Sequence, residues 1–212
     1  MADIDIESTI SDIKLFIEKL KTDLPEVFSK DTEENSSEQL QPASGKVLYE
    51  GQLLPCKVVL NTELKEPSFS LEEGTLTITI NDKNADLPIL AEEWSRKQAQ
   101  EILPKKVAAW AQKMGVQYNN IVIKDQKTLW ASCSQKKNLN FSYRLIKMPS
   151  SIVDYLIVHE LSHLIHFDHS PDFWACVEGY IPNYKEARKW LNTNRYAVMA
   201  PCDIKYIPEE NA

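Results

Sequence analysis

Residues 158–174 read V-H-E-L-S-H-L-I-H-F-D-H-S-P-D-F-W and hold all four histidines of the 212-residue chain. The apolar residues Ile152, Val153, Leu156, Ile157, Val158, Leu161, Leu164 and Ile165 fall on every side of a helix drawn through this stretch. A helix that is apolar all round has to be buried, so the rest of the chain must form a shell around it. That shell must still leave a path to the histidines. His159 and His163 stand at i and i+4, so both imidazoles project from one helix face and can share one ion. Glu160 is rotated about 100° from His159, beside the ion rather than on it.

The spacing H-E-x-x-H is that of zinc peptidases, in which the glutamate acts as general base toward a metal-activated water. Such a site needs three protein ligands and an open fourth position. His166 lies on the same face but about 10 Å along the axis, too far for one ion to reach both ends. Ser170-Pro171 should end the helix near Phe167, after which His169 can fold back as third ligand to one zinc per chain. The alternative third ligand is Glu178 on the next helix. The pattern H-E-x-x-H-x5-H is also the ligand spacing of metzincins, but His166 stands where those carry glycine. A closed structural zinc site would favour cysteines, and only Cys176 lies nearby. His166, Tyr143 and Arg144 are candidate donors to a developing oxyanion, and Trp130 and Trp174 are candidate pocket walls.

Around the motif the periodicity predicts an α+β fold: a small mixed or antiparallel sheet packed on a long helix and on the buried motif helix. Segments 47–50 and 53–60 read as strands around Gly51, and 75–80 alternates threonine with Leu76, Ile78 and Ile80; these three would form a meander. A helix over 90–114, with Trp94, Ile102, Leu103, Val107 and Trp110 inward, should kink at Pro104 and stop at Gly115. Strands at 120–124, 129–133 and 139–143 follow. Ser151 with Asp154 reads as a capping box for the motif helix. Ser170-Pro171 starts a helix through Gly179, and Asn183 with Glu186 opens one ending near Asn192. Residues 1–28 suit an amphipathic helix and 29–45 an acidic flexible linker. The catalytic domain would then occupy 46–193, with an aperiodic tail over 194–212.

No run of eighteen apolar residues is present, so no membrane span is expected. The acidic N-terminus is unlike a signal peptide, which implies a cytoplasmic or nuclear location. Cys56, Cys133, Cys176 and Cys202 form no C-x-x-C pair and read as reduced thiols. Net charge is −7, yet residues 95–147 carry eleven basic side chains against two acidic ones. That block would suit nucleic acid, an acidic polypeptide or the chain's own acidic N-terminal segment. The expected substrate is a peptide or protein, bound as an added strand on the 129–143 hairpin. Two other readings compete: a protease acting on nucleic-acid-associated proteins, and a metal-bearing interaction module whose chemistry is latent. Nothing in the sequence bears on oligomeric state.

W-A-S-C at 130–133, Y-R-L at 143–145, I-V-D-Y at 152–155, V-H-E-L-S-H-L, H-S-P-D-F-W at 169–174, P-N-Y at 182–184 and W-L at 190–191 together resemble the YgjP-like metallopeptidase family, small zincins related to SprT-like and WLM proteases. The resemblance runs from about Val47 to Leu191, leaving the N-terminal helix, the linker and the tail outside it. It implies a minimal zincin fold with His159, His163 and His169 on zinc and Glu160 as general base. Where the family carries R-W-G-S-C, this chain has Leu129-Trp130-Ala131-Ser132-Cys133.

Overall fold

The computed structural model describes residues 43–202 together with 204 and 205. The expected helix at 1–28, most of the expected linker and the end of the tail lie outside the described residues. Residues 43–45, assigned above to the linker, instead begin a strand.

Two small sheets flank one long helix. In the first, β1 (Ala43–Tyr49), β2 (Gln52–Leu60), β3 (Ser68–Glu72) and β4 (Thr75–Ile80) take the order β1-β2-β4-β3. β1–β2 and β3–β4 are antiparallel hairpins with two-residue loops, Glu50-Gly51 and Glu73-Gly74. All four loop residues have positive φ, the type I′ geometry that matches strand twist. β2 and β4 pair in parallel, Cys56 opposite Leu76 through Leu60 opposite Ile80, so the sheet is not the meander expected. β3 escaped the sequence reading because it is an edge strand that buries none of its residues fully.

α1 (Leu87–Met114) crosses behind this sheet. It starts a turn before the apolar period does, because Asp86 accepts a hydrogen bond from the Ile89 amide at 3.1 Å and Pro88 suits the first turn. The helix runs on through Pro104 and ends on Gly115 in the left-handed region. Its first half closes the sheet core with Leu87, Leu90, Ala91 and Trp94. Its second half turns Leu103, Val107 and Ala111 into the main core. Ile102 and Trp110, expected inside, are only half-buried.

The second sheet is β5 (Asn120–Lys124), β7 (Asn138–Ser142) and β6 (Ala131–Cys133), in that order, with β5–β7 parallel and β6–β7 antiparallel. β6 is therefore an edge. A 3-10 turn, Tyr143–Lys147, leads to the motif helix α2 (Ser150–Ser162), then to α3 (Pro171–Tyr180) and α4 (Tyr184–Met199). As its composition demands, α2 is central, packing on α1, α3, α4 and β6. The expected capping box does not form: Pro149 is the N-cap. Asp154 instead accepts from Lys106 Nζ and Trp110 Nε1, both at 2.9 Å, and ties α2 to α1.

α4 runs two turns past Asn192. Asn194 Nδ2 donates to the Trp190 carbonyl at 2.9 Å, and buried Val198 extends the apolar stripe of Ala187 and Leu191. Beyond it Ile204 is buried and bridges Gly45 on the free edge of β1. No helix among the described residues is long and apolar enough to cross a membrane.

Candidate active site

α2 presents His159 and Glu160 in its last full turn, and His163 is its C-cap, still right-handed with its amide 3.3 Å from the His159 carbonyl. The i, i+4 geometry therefore holds although the helix ends a turn earlier than expected. Leu164 and Ile165 close a tight turn by i to i+3 bonds to Leu161 and Ser162. Asp168 Oδ1 then receives the Ser170 amide at 3.3 Å, and Ser170 Oγ caps α3 by accepting from the Phe173 amide. These local bonds turn the chain back, and His169 Nε2 comes to 3.2 Å from His159 Nε2.

His159, His163 and His169 each offer a ring nitrogen within 4.8 Å of the others. Tetrahedral zinc with Zn–N bonds of about 2.0–2.1 Å spaces its ligand atoms by roughly 3.4 Å, so the set fits such an ion. Glu178 is exposed on α3 and is not part of the cluster. The protonation state fits as well. Burial, then the neighbouring His163 and His169, push His159 down to about 3, and burial lowers His163. Neutral imidazole is the form a metal requires. His163 Nδ1 lies 3.1 Å from the His166 carbonyl, which orients its Nε2 toward the cluster. His159 Nδ1 is buried without a hydrogen-bond partner among the described residues, so packing holds that ring. Tyr155, Phe173 and Trp174 supply the packing, with ring centroids 5.9, 4.9 and 5.8 Å away.

Fully buried Phe173 also stacks on His163 at 4.5 Å and meets His169 at 4.8 Å, forming a floor under all three histidines. Sequence reasoning missed it, although its place three residues after the Ser170 cap puts it on the inward face of α3. Glu160 is 5% exposed. Burial raises its carboxyl to about 8, opposed by a hydrogen bond from the Cys133 main chain on β6. Glu160 thus lies beside the edge strand β6.

The other candidates divide. Trp174 lies against His159 and His169. Trp130 sits on the core with Arg195 5.9 Å over its ring. The part His166 plays through its carbonyl is structural, where the sequence suggested its side chain. Tyr143 and Arg144, expected as oxyanion donors, are committed elsewhere. Tyr143 is 1% exposed and donates to Glu92, which also holds buried Lys147 at 2.5 Å. Arg144 and Arg96 flank the Tyr143 ring and both reach Asp125 at 2.6 Å. Two acids near in space but distant in sequence thus take both side chains. With Lys105 on Glu101 and Lys106 on Asp154, part of the positive charge in 95–147 is neutralised within the fold. All four cysteines are free.

The family model for the YgjP-like metallopeptidase domain matches residues 5–194. The chain belongs to this family. It is therefore a metallopeptidase, an enzyme that hydrolyses peptide bonds in a peptide or protein substrate with the help of a metal ion. The match begins near the N-terminus, so it takes in the segment that the sequence reading left outside the resemblance. Among solved structures, the metallopeptidase zymogen abylysin of Pyrococcus abyssi is similar at 22% identity, over 44% of this chain and 96% of that one, with a TM-score of 0.41. No curated protein matches the chain.

Proposed function

We propose that His159, His163 and His169 hold one zinc ion and that Glu160 is the general base of peptide-bond hydrolysis. The convergence of three imidazole nitrogens beside one buried carboxyl group carries the reading. Zinc, when bound, supplies Lewis acidity that activates a water and polarises the scissile carbonyl. Glu160 takes the proton of the attacking water and delivers it to the leaving amine. Glu160 lies beside Cys133 on the edge strand β6. A substrate strand laid on the free side of β6 would use main-chain bonds for affinity and pass directly in front of Glu160. Phe173 and Trp174 hold the ligand rings and exclude water from behind them.

Glu160→Gln tests the assignment. It should keep the wild-type metal content by elemental analysis while peptide turnover falls about 10²- to 10⁴-fold. Turnover that survives the substitution would remove Glu160 from the chemistry.

A further inference from the structure

The wall formed by Trp174 carries a cation that the hydrolytic chemistry above does not use. Arg188, one turn after Tyr184 on α4, places its guanidinium 4.7 Å from the centre of the Trp174 ring. Tyr184 stacks on the same indole at 5.2 Å, with the planes 18° apart. The other neighbours of that indole are His169 at 5.6 Å and His159 at 5.8 Å. Arg188 is exposed, and it has no acidic partner among the described residues. The other described arginines at 96, 144 and 195 are each held by hydrogen bonds.

Stacking on an indole restricts the guanidinium plane while leaving its N–H edge free, which presents a fork suited to a carboxylate. The same indole touches the guanidinium and two of the three histidines. A guanidinium that shares this ring with the histidines is placed to meet a group of a peptide bound across them. A fixed cation beside a cationic site repels positive substrates and draws negative ones.

We propose that Arg188, held on Trp174, is a specificity-determining residue that binds a carboxylate of the peptide substrate close to the scissile bond. The carboxylate is either the C-terminus of a short peptide or an Asp or Glu side chain. The proposal rests on the metal-site reading above only in assuming that the peptide lies across the three histidines.

The test uses the full chain, loaded with zinc or freed of it, and a mixed pool of short peptides in matched forms. One pair differs in a free or amidated C-terminus, the other in internal Glu or Gln. Retention of each form by the zinc-free protein and its cleavage by the zinc-loaded protein are read by mass spectrometry, for wild type, Arg188→Lys and Arg188→Gln. The wild type should favour one carboxylate form about tenfold, the low end for a charge-assisted hydrogen bond. The pair that shows the preference identifies the source of the carboxylate. Arg188→Gln should bring the ratio within about twofold, and Arg188→Lys should keep part of it. No preference in either wild-type pair, or a preference that survives Arg188→Gln, would overturn the proposal. Absence of cleavage with the carboxylate preference intact in the zinc-free protein would instead count against the metal-site reading and leave Arg188 in its role.

Discussion

The two Glu-Gly hairpins of the first sheet make a matched pair for measuring how tightly that sheet is keyed to the motif helix. Gly51 and Gly74 occupy the same turn position with φ of +82 and +75. An alanine pays the left-handed penalty of about 1–2 kcal/mol at either one, offset equally by the lost freedom of the unfolded chain. Their surroundings differ. A Cβ on Gly74 meets nothing within 4 Å, whereas one on Gly51 would stand 2.6 Å from Pro149 Cγ and 3.1 Å from its nitrogen. Pro149 is the N-cap of α2, and its ring has little freedom to give way. The hairpin is pinned too, by Glu50 N–H to the Ile146 carbonyl at 2.8 Å and Gly51 N–H to the Lys147 carbonyl at 3.0 Å. Overpacking of this kind costs about 1–3 kcal/mol. Gly51→Ala should therefore fall below Gly74→Ala by that amount in urea unfolding, and a 2 kcal/mol gap should lower Tm by about 4–8 °C in a protein of this size. Pro149→Ala removes the clashing ring atoms, so the double variant with Gly51→Ala should recover part of the loss as a coupling energy. Equal destabilisation by the two glycine substitutions would refute the keyed contact.

Zinc analysis should find metal lost in His169→Ala and kept in Glu178→Ala; the reverse would make Glu178 the third ligand. Asp154→Ala leaves Lys106 and Trp110 Nε1 without their acceptor and should cost about 1–2 kcal/mol, limited by the partial exposure of the pair, while Asp154→Asn recovers part of it in the same urea assay. Hydrogen bonds from Arg96 and Arg144 hold the Asp125 carboxyl below its usual range. The folded state then binds that proton more weakly than the unfolded chain does, so the stabilisation is complete above about pH 4 and disappears as pH falls through the folded value. The urea midpoint of wild type should exceed that of Asp125→Asn at pH 7, and the gap should close below pH 4; a gap constant down to pH 3 would exclude the linkage.

The readable elements were those whose signal is local. Leu76, Ile78 and Ile80 alternate, and β4 spans the residues they predicted. The unbroken apolar character around His159 placed α2 at the centre. Ser170-Pro171 marked the start of α3, and with it the turn that returns His169. Where burial was partial the local signal faded, as in β3 with only Phe69 grazing the core, or in α4, whose last turns depend on Asn194 and Val198 finding the body of the domain.

Histidine spacing, the adjacent carboxyl group and the burial of their helix follow from the sequence alone, because helical geometry converts residue intervals into directions in space. Partners across the fold do not follow, since hydrogen bonds and ion pairs are chosen by distance and many acids compete for each base. Only the tertiary structure took Tyr143 and Arg144 from the site to Glu92 and Asp125, moved Asp154 from a cap to α1, paired β2 with β4 in parallel, and stood Arg188 on Trp174 beside the three histidines.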